Sequence, residues 1–278
     1  MFKQFFEAFS NLFSNVHPVF LFSFIIVFGL YIFWRGCIDT RKNNSSIFDL
    51  YILSTIMGLV VGRISYVITR WEDFSSYIWY WLPYEKYGDE IFLFRVLPWR
   101  FFRIWDWGID VLLMFVGFLI TASLLTVAFK RWRWDHLFTT IFFTAQSMLA
   151  MSFLVLGTFS KNLEWVLQGA AMVLIPFILF ILKNSVRKVV IGPKERKILI
   201  LLDIFFILIS LTYTTYIYLS KEVTFMERYG IYVFCGWTVL GIIVYLFSSR
   251  KDNVTIEKVS SVNIVSPVDV NQPIKLYK

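Results

Sequence analysis

The strongest chemical signal in this chain comes from its arginines. Arg63 stands in Gly62-Arg63-Ile64-Ser65-Tyr66, near the end of an otherwise apolar run from Phe48 to Ile68. A guanidinium costs roughly 2.5–3.5 kcal/mol at the bilayer centre and less near an interface, so an arginine in such a run marks a candidate site. Two readings are open from position alone. The side chain turns inward to a site, or it snorkels past the helix end to the headgroups. Arg95, Arg100 and Arg103 follow on a long connector, and Asp106 and Asp110 stand at the mouth of the next apolar run. Guanidinium forks match phosphate oxygens two at a time. Arginines in an aromatic collar at headgroup depth therefore suit a phospholipid headgroup. The competing arrangement pairs Arg103 with Asp106 one helical turn away and leaves the other arginines to hold the connector to anionic lipid.

Little else in the chain is equipped for chemistry. There is no Walker loop, GxSxG, HExxH or GxGxxG, and no motif for a cofactor. Cys37 and Cys235 are too few and too far apart for a disulfide framework or a CxxC metal site. His17-Pro18 reads as the opening of the first span, and His136 beside Asp135 as a cap or interfacial residue. Gln146 is placed to hydrogen-bond across helices. Asp203 faces an interface or pairs with Lys197.

The elements that must position these residues are membrane spans. Of the 278 residues, 58% are hydrophobic and 20% aromatic, with a mean hydropathy of +0.66. Runs long enough to cross a bilayer force the backbone to bond within itself, which predicts an all-α polytopic membrane protein. Seven spans are expected, at about Pro18–Trp34, Phe48–Ile68, Trp107–Phe129, Leu137–Phe159, Trp165–Leu182, Ile198–Leu219 and Tyr229–Phe247. Together they form one membrane domain over 1–250. Phe2, Phe5, Phe6, Phe9 and Phe13 recur at helical spacing and predict an amphipathic interfacial helix before the first span, not a cleaved signal. The net charge of +8 reads as anchoring and orientation at anionic lipid, with no nucleic-acid partner. Lys and Arg alternate in density from loop to loop, which puts the N-terminus outside and the C-terminus in the cytoplasm.

The connector of residues 69–106 is the exception to that alternation. Connections beyond roughly 12–15 residues are usually functional or disordered, and this one is too rich in Trp, Tyr and Phe to be disordered. It is expected to lie as an arm on the outer leaflet, in short helical pieces broken at Pro83, Gly88 and Pro98. The polar stretch 251–278 is expected to be a flexible cytoplasmic tail.

The order of these pieces resembles the bacterial prolipoprotein diacylglyceryl transferases. The resemblance rests on an opening near His17-Pro18, a second span ending Gly62-Arg63-Ile64-Ser65-Tyr66-Val67, then Phe92-Leu93-Phe94-Arg95-Val96, and Arg103-Ile104-Trp105-Asp106-Trp107-Gly108. It is clearest over about residues 16–157. It implies a bacterial inner-membrane enzyme that moves diacylglyceryl from phosphatidylglycerol to a lipobox cysteine of a lipoprotein precursor. Arg63 and Tyr66 would then be lipid-site residues, and Trp105, Asp106 and Gly108 would shape the entrance. Two family motifs are replaced. Leu stands in Val111-Leu112-Leu113-Met114 where the family has His-Gly-Gly, and Ser147–Gly157 lacks the family's Arg and Asn on span four.

Three functions are compatible with this reading. A transferase would hold phosphate with Arg63 and one or more of Arg95, Arg100 and Arg103, with Asp110 or Asp106 as base in place of the histidine; an aspartate needs a raised pKa for that work. A relative without chemistry would bind phospholipid or lipoprotein precursor. A small transporter would want more polar groups at the bilayer midplane.

Overall fold

The computed structural model describes residues 7, 10, 11, 16, 18–38, 43–103, 108–130, 132, 134–189, 193–220 and 223–262. Seven helices are long and apolar enough to cross a membrane, so the chain is an all-α polytopic membrane protein. They are α1 (Pro18–Cys37), α2 (Asn44–Thr69), α4 (Val111–Leu124, continuing as a π-helical turn to Phe129), α5 (Trp134–Phe159), α6 (Leu163–Val189), α7 (Pro193–Leu219) and α8 (Phe225–Val262). Their ends are capped by local chemistry. The Asn43 side chain accepts from the Ser45 amide at 3.3 Å, and Asn162 accepts from Glu164 at 3.0 Å. Thr224 and Glu227 form a reciprocal capping box that opens α8.

Helix α5 is the hub, packing on α1, α4, α6, α7 and α8. Its apolar stripe of Leu137, Phe138, Ile141 and Phe142 is fully buried. Phe138 stacks on Trp134 at 5.0 Å, and Phe142 stacks on Phe234 of α8 at 5.9 Å. Tyr51 of α2 donates to the Ile26 carbonyl of α1 at 2.6 Å and touches Met148 of α5, tying three spans at one point. Gln146 reaches Thr214 of α7 at 3.0 Å, the cross-helix bond expected of it. Asp203 pairs with Lys183 of α6 instead of Lys197, and Tyr245 of α8 donates to it at 3.3 Å.

The most intimate crossing is α2 against α4, and it sets up the site. Gly58 and Gly62 stand four residues apart on α2 and leave no side chain between the backbones. A Cβ on Gly58 would come within 2.6 Å of the Met114 carbonyl, and one on Gly117 of α4 within 2.9 Å of Val61. This is the small-residue spacing that lets spans approach in lipid, where dispersion and not hydrophobicity drives association.

Between α2 and α4 the arm departs from expectation. It opens with a short helix, α3 (Trp71–Ser75), and closes with a 3-10 turn at Trp99–Phe102. Its middle is a β-hairpin of β1 (Tyr84–Tyr87) and β2 (Glu90–Leu93), not helical pieces. Gly88 takes φ +61, which the primed two-residue turns of hairpins demand at their first position. The glycine read as a break between helical pieces is the tip of a ribbon. The ribbon extends past the strands, since Phe94 donates to the Pro83 carbonyl at 2.8 Å and Tyr80 to the Leu97 carbonyl at 2.7 Å.

A second departure lies at the far end of the chain. Helix α8 continues to Val262, so the tail does not begin at residue 251. No Gly or Pro stands between Gly241 and Pro267, and a helix already nucleated in lipid needs only propagation to go on. Residues 263–278 lie outside the described part, as do most of the residues expected to form the N-terminal amphipathic helix.

Candidate anion site at the arm

Arg63 is only 6% exposed, and its guanidinium points into the junction of arm and spans. Nε donates to the Phe101 carbonyl at 2.8 Å, Nη2 to the Arg100 carbonyl at 2.7 Å and Nη1 to the Gly108 carbonyl at 2.6 Å. Carbonyls at the end of a helical turn have no partner within it, and a cation there satisfies them. One side chain thus fastens the arm's 3-10 turn and the start of the approach to α4. Gly108 is needed for this, because a Cβ there would overlap the guanidinium. The Tyr66 and Phe74 rings lie 5.6 and 5.3 Å from the Arg63 charge.

Above this clamp opens a cavity of about 450 Å³. Arg63, Tyr66, Arg70, Asp73, Phe74, Ser76, Tyr77, Arg95, Arg100, Arg103 and Gly108 line it. Among the described residues, five arginines therefore share the walls with one acidic residue, Asp73. Arg100 is the best positioned of the five. Its charge lies 3.5 Å from the centre of the Tyr77 ring and 4.5 Å from that of Phe74, and Nη1 donates to the Asp73 carbonyl at 2.8 Å. The rings and one hydrogen bond fix the fork while most of its five donors stay available. Arg70 lies over the Tyr66 ring at 5.2 Å, and Arg95 over Phe92 at 5.1 Å.

Of the site residues named from sequence, Arg63, Tyr66, Arg95, Arg100, Arg103 and Gly108 come together on this cavity. Asp106 and Trp105 lie outside the described residues. Asp110 does not line the cavity. It caps α4, with Oδ1 accepting from the Leu113 amide and Oδ2 from the Ser65 hydroxyl, both at 3.1 Å, while its own amide donates to the Gly62 carbonyl at 3.0 Å. It stands just outside the span, and burial pushes its carboxyl above the usual carboxylate range against the lowering effect of those bonds. The role this geometry gives it is to join α4 to α2.

Sequence reasoning missed Arg70, Asp73, Phe74, Ser76 and Tyr77. A signal for Arg70 was present, since residues 63, 66 and 70 fall on one helical face at spacings of three and four. Ser76 and Tyr77 reach the cavity only because α3 folds back over the end of α2, and no local pattern encodes that turn.

Among the described residues, no His, Cys or Lys lines the cavity. The arrangement is built to hold an anion and, by the same field, to favour the charged form of an approaching thiol or phosphate. Compared with protein-family models, with curated proteins and with solved structures, the chain matches none of them.

Proposed function

We propose that this protein binds the phosphate of an anionic phospholipid in the arm-side cavity. Phosphatidylglycerol is the headgroup that the resemblance to prolipoprotein diacylglyceryl transferases implies. The observation that carries the reading is five arginines around one cavity at the ends of two spans, one of them held between aromatic rings with donors to spare. A unit charge about 4 Å from a guanidinium gains about 4 kcal/mol at the effective dielectric of a protein surface, before desolvation. Several such contacts suffice for a headgroup. In this reading the arm faces outward from a bacterial cytoplasmic membrane, with the C-terminus in the cytoplasm, as the Lys and Arg distribution favours.

A second reading adds transfer of the diacylglyceryl group to the cysteine of a lipoprotein precursor. The guanidinium-lined wall favours it, because such a wall would hold the incoming cysteine as thiolate and stabilise the departing glycerol phosphate. That no imidazole or amine stands among the described lining residues favours binding alone.

The two readings separate in two measurements. Binding is read by native mass spectrometry of the purified protein with phosphatidylglycerol against phosphatidylcholine. Retention of phosphatidylglycerol that Arg100→Gln weakens supports the site, and equal retention of both lipids removes it. Transfer is read by the mass of a lipobox reporter in cells depleted of their own transferase. A mass gain that Arg63→Ala abolishes supports the enzyme, and no gain at full expression leaves binding as the function.

A further inference from the structure

The arm's ribbon carries an apolar face that the cavity does not use. Cross-strand partners in the hairpin are Tyr84 with Leu93, Glu85 with Phe92, Lys86 with Ile91 and Tyr87 with Glu90. Alternation along each strand therefore puts Tyr84, Lys86, Ile91 and Leu93 on one face and Glu85, Tyr87, Glu90 and Phe92 on the other. On the second face Glu85 and Phe92 are half-buried, the Phe92 ring lying beneath Arg95, a cavity residue, while Tyr87 and Glu90 at the tip are exposed. All four residues of the first face are exposed. Ile91 is 61% exposed and Leu93 58%, and the neighbouring Ile78 and Trp81 on the ribbon's base reach 79% and 78%.

We infer that this face of the ribbon seats in the headgroup boundary of the leaflet on the arm's side, making the arm a membrane-docked element as well as a cavity wall. Three features select lipid as the occupant. The face's uncharged residues are Ile, Leu and Tyr, and Tyr is a type that favours the interface. The single charge on the face is Lys86, whose ammonium suits anionic lipid while its stem lies along apolar surface. The acids Glu85 and Glu90 stand on the opposite face, where an anionic membrane would repel them least. Docking goes no deeper than the interface, because a two-stranded ribbon leaves edge amides and carbonyls that need water. The inference stands whether or not the cavity takes a headgroup.

The test uses the full chain in nanodiscs of mixed phosphatidylcholine and phosphatidylglycerol. Cys37 and Cys235 are replaced by Ala, and a fluorophore is placed by cysteine substitution at positions 91 and 93 or at positions 85 and 90. Spin-labelled lipid is expected to quench the labels at 91 and 93 several-fold more than those at 85 and 90, and a water-soluble quencher to show the reverse order. Equal access of water to all four positions, or the opposite alternation, would overturn the inference. So would shielding of 91 and 93 from both quenchers, which would mean that protein covers the face. Should the cysteine-free background not fold, a photo-crosslinking residue at 91 and at 90 of the unaltered chain reads the same contrast. Lipid adducts at 91 and not at 90 support docking, and protein adducts at 91 sink it.

Discussion

Two regions of this protein bury charge at opposite ends of the spans, and they put it to different uses. On the side away from the arm, Lys183 of α6 meets Asp203 of α7, and Tyr245 of α8 completes the contact. The charges cancel locally, and the pair acts as a staple among three helices. On the arm side, the N–H groups of Arg63 meet three backbone carbonyls. Those bonds fasten the backbone of the arm, and the guanidinium that makes them also forms part of the cavity wall. An ion pair spends charge on structure. The guanidinium of Arg63 serves the fold and the cavity wall at once.

The largest effect should come from removing that guanidinium. Arg63→Leu leaves three carbonyls short of a donor, one buried and two part-buried, at up to about 1–3 kcal/mol for the buried one. It should lower the unfolding temperature sharply, open the arm to limited proteolysis and abolish retention of anionic lipid. Arg63→Lys should fail to rescue either property, because an ammonium cannot span three carbonyls as a fork does. A stable variant with an intact arm would show that the clamp is dispensable.

The staple should behave differently. Lys183→Met alone orphans a buried carboxylate, at about 3 kcal/mol, the low end for breaking a buried pair because Lys183 is partly exposed. Adding Asp203→Leu should recover most of that loss, since apolar replacements of a buried pair are often neutral. Lipid retention should not change in either. Thermal unfolding of the single and double variants checks this, and a double variant no better than the single would remove the contrast between the two regions.

Arg100 divides the clamp from the cavity within one residue. Its carbonyl holds Arg63, whereas its side chain faces the cavity. Arg100→Gln should therefore weaken lipid binding about tenfold, or about 1.4 kcal/mol, with little change in stability. A drop in stability as large as that of Arg63→Leu would mean that the two functions are not separable.

The smallest effect concerns Asp110. Its carboxyl is raised, so the folded state favours the protonated form. Its contribution is then most favourable below the ordinary carboxylate range and declines as pH rises from there through the raised folded-state pKa. Asp110→Asn keeps a capping oxygen and should flatten that slope in unfolding temperature against pH, leaving lipid retention intact. If the transferase reading holds with Asp110 as base, the same substitution would stop reporter modification without destabilising the protein.

How much of this was legible in the residue order follows from how far each determinant reaches. Hydropathy is local, so the seven spans, the helical class and the exceptional connector could be read from composition and run length. So could the bond from Gln146 to a neighbouring span and the importance of Arg63. The hairpin was legible in principle, because Gly88-Asp89 separates two short strand-forming runs, but the helical context of the chain hid it. The partners of Arg63 were not legible. They stand 37, 38 and 45 residues away, on a turn and an approach segment whose carbonyl directions depend on the close crossing of α2 and α4. Nor could local pattern separate Arg63, which clamps, from Arg100, which offers its donors, or assign Asp110 to a cap. Residue types dictated that cations would gather on this side of the membrane. Which of them holds the fold and which faces the cavity was decided only when α3 and the 3-10 turn closed over the end of α2, because a hydrogen bond's worth depends on where its partner's backbone comes to rest.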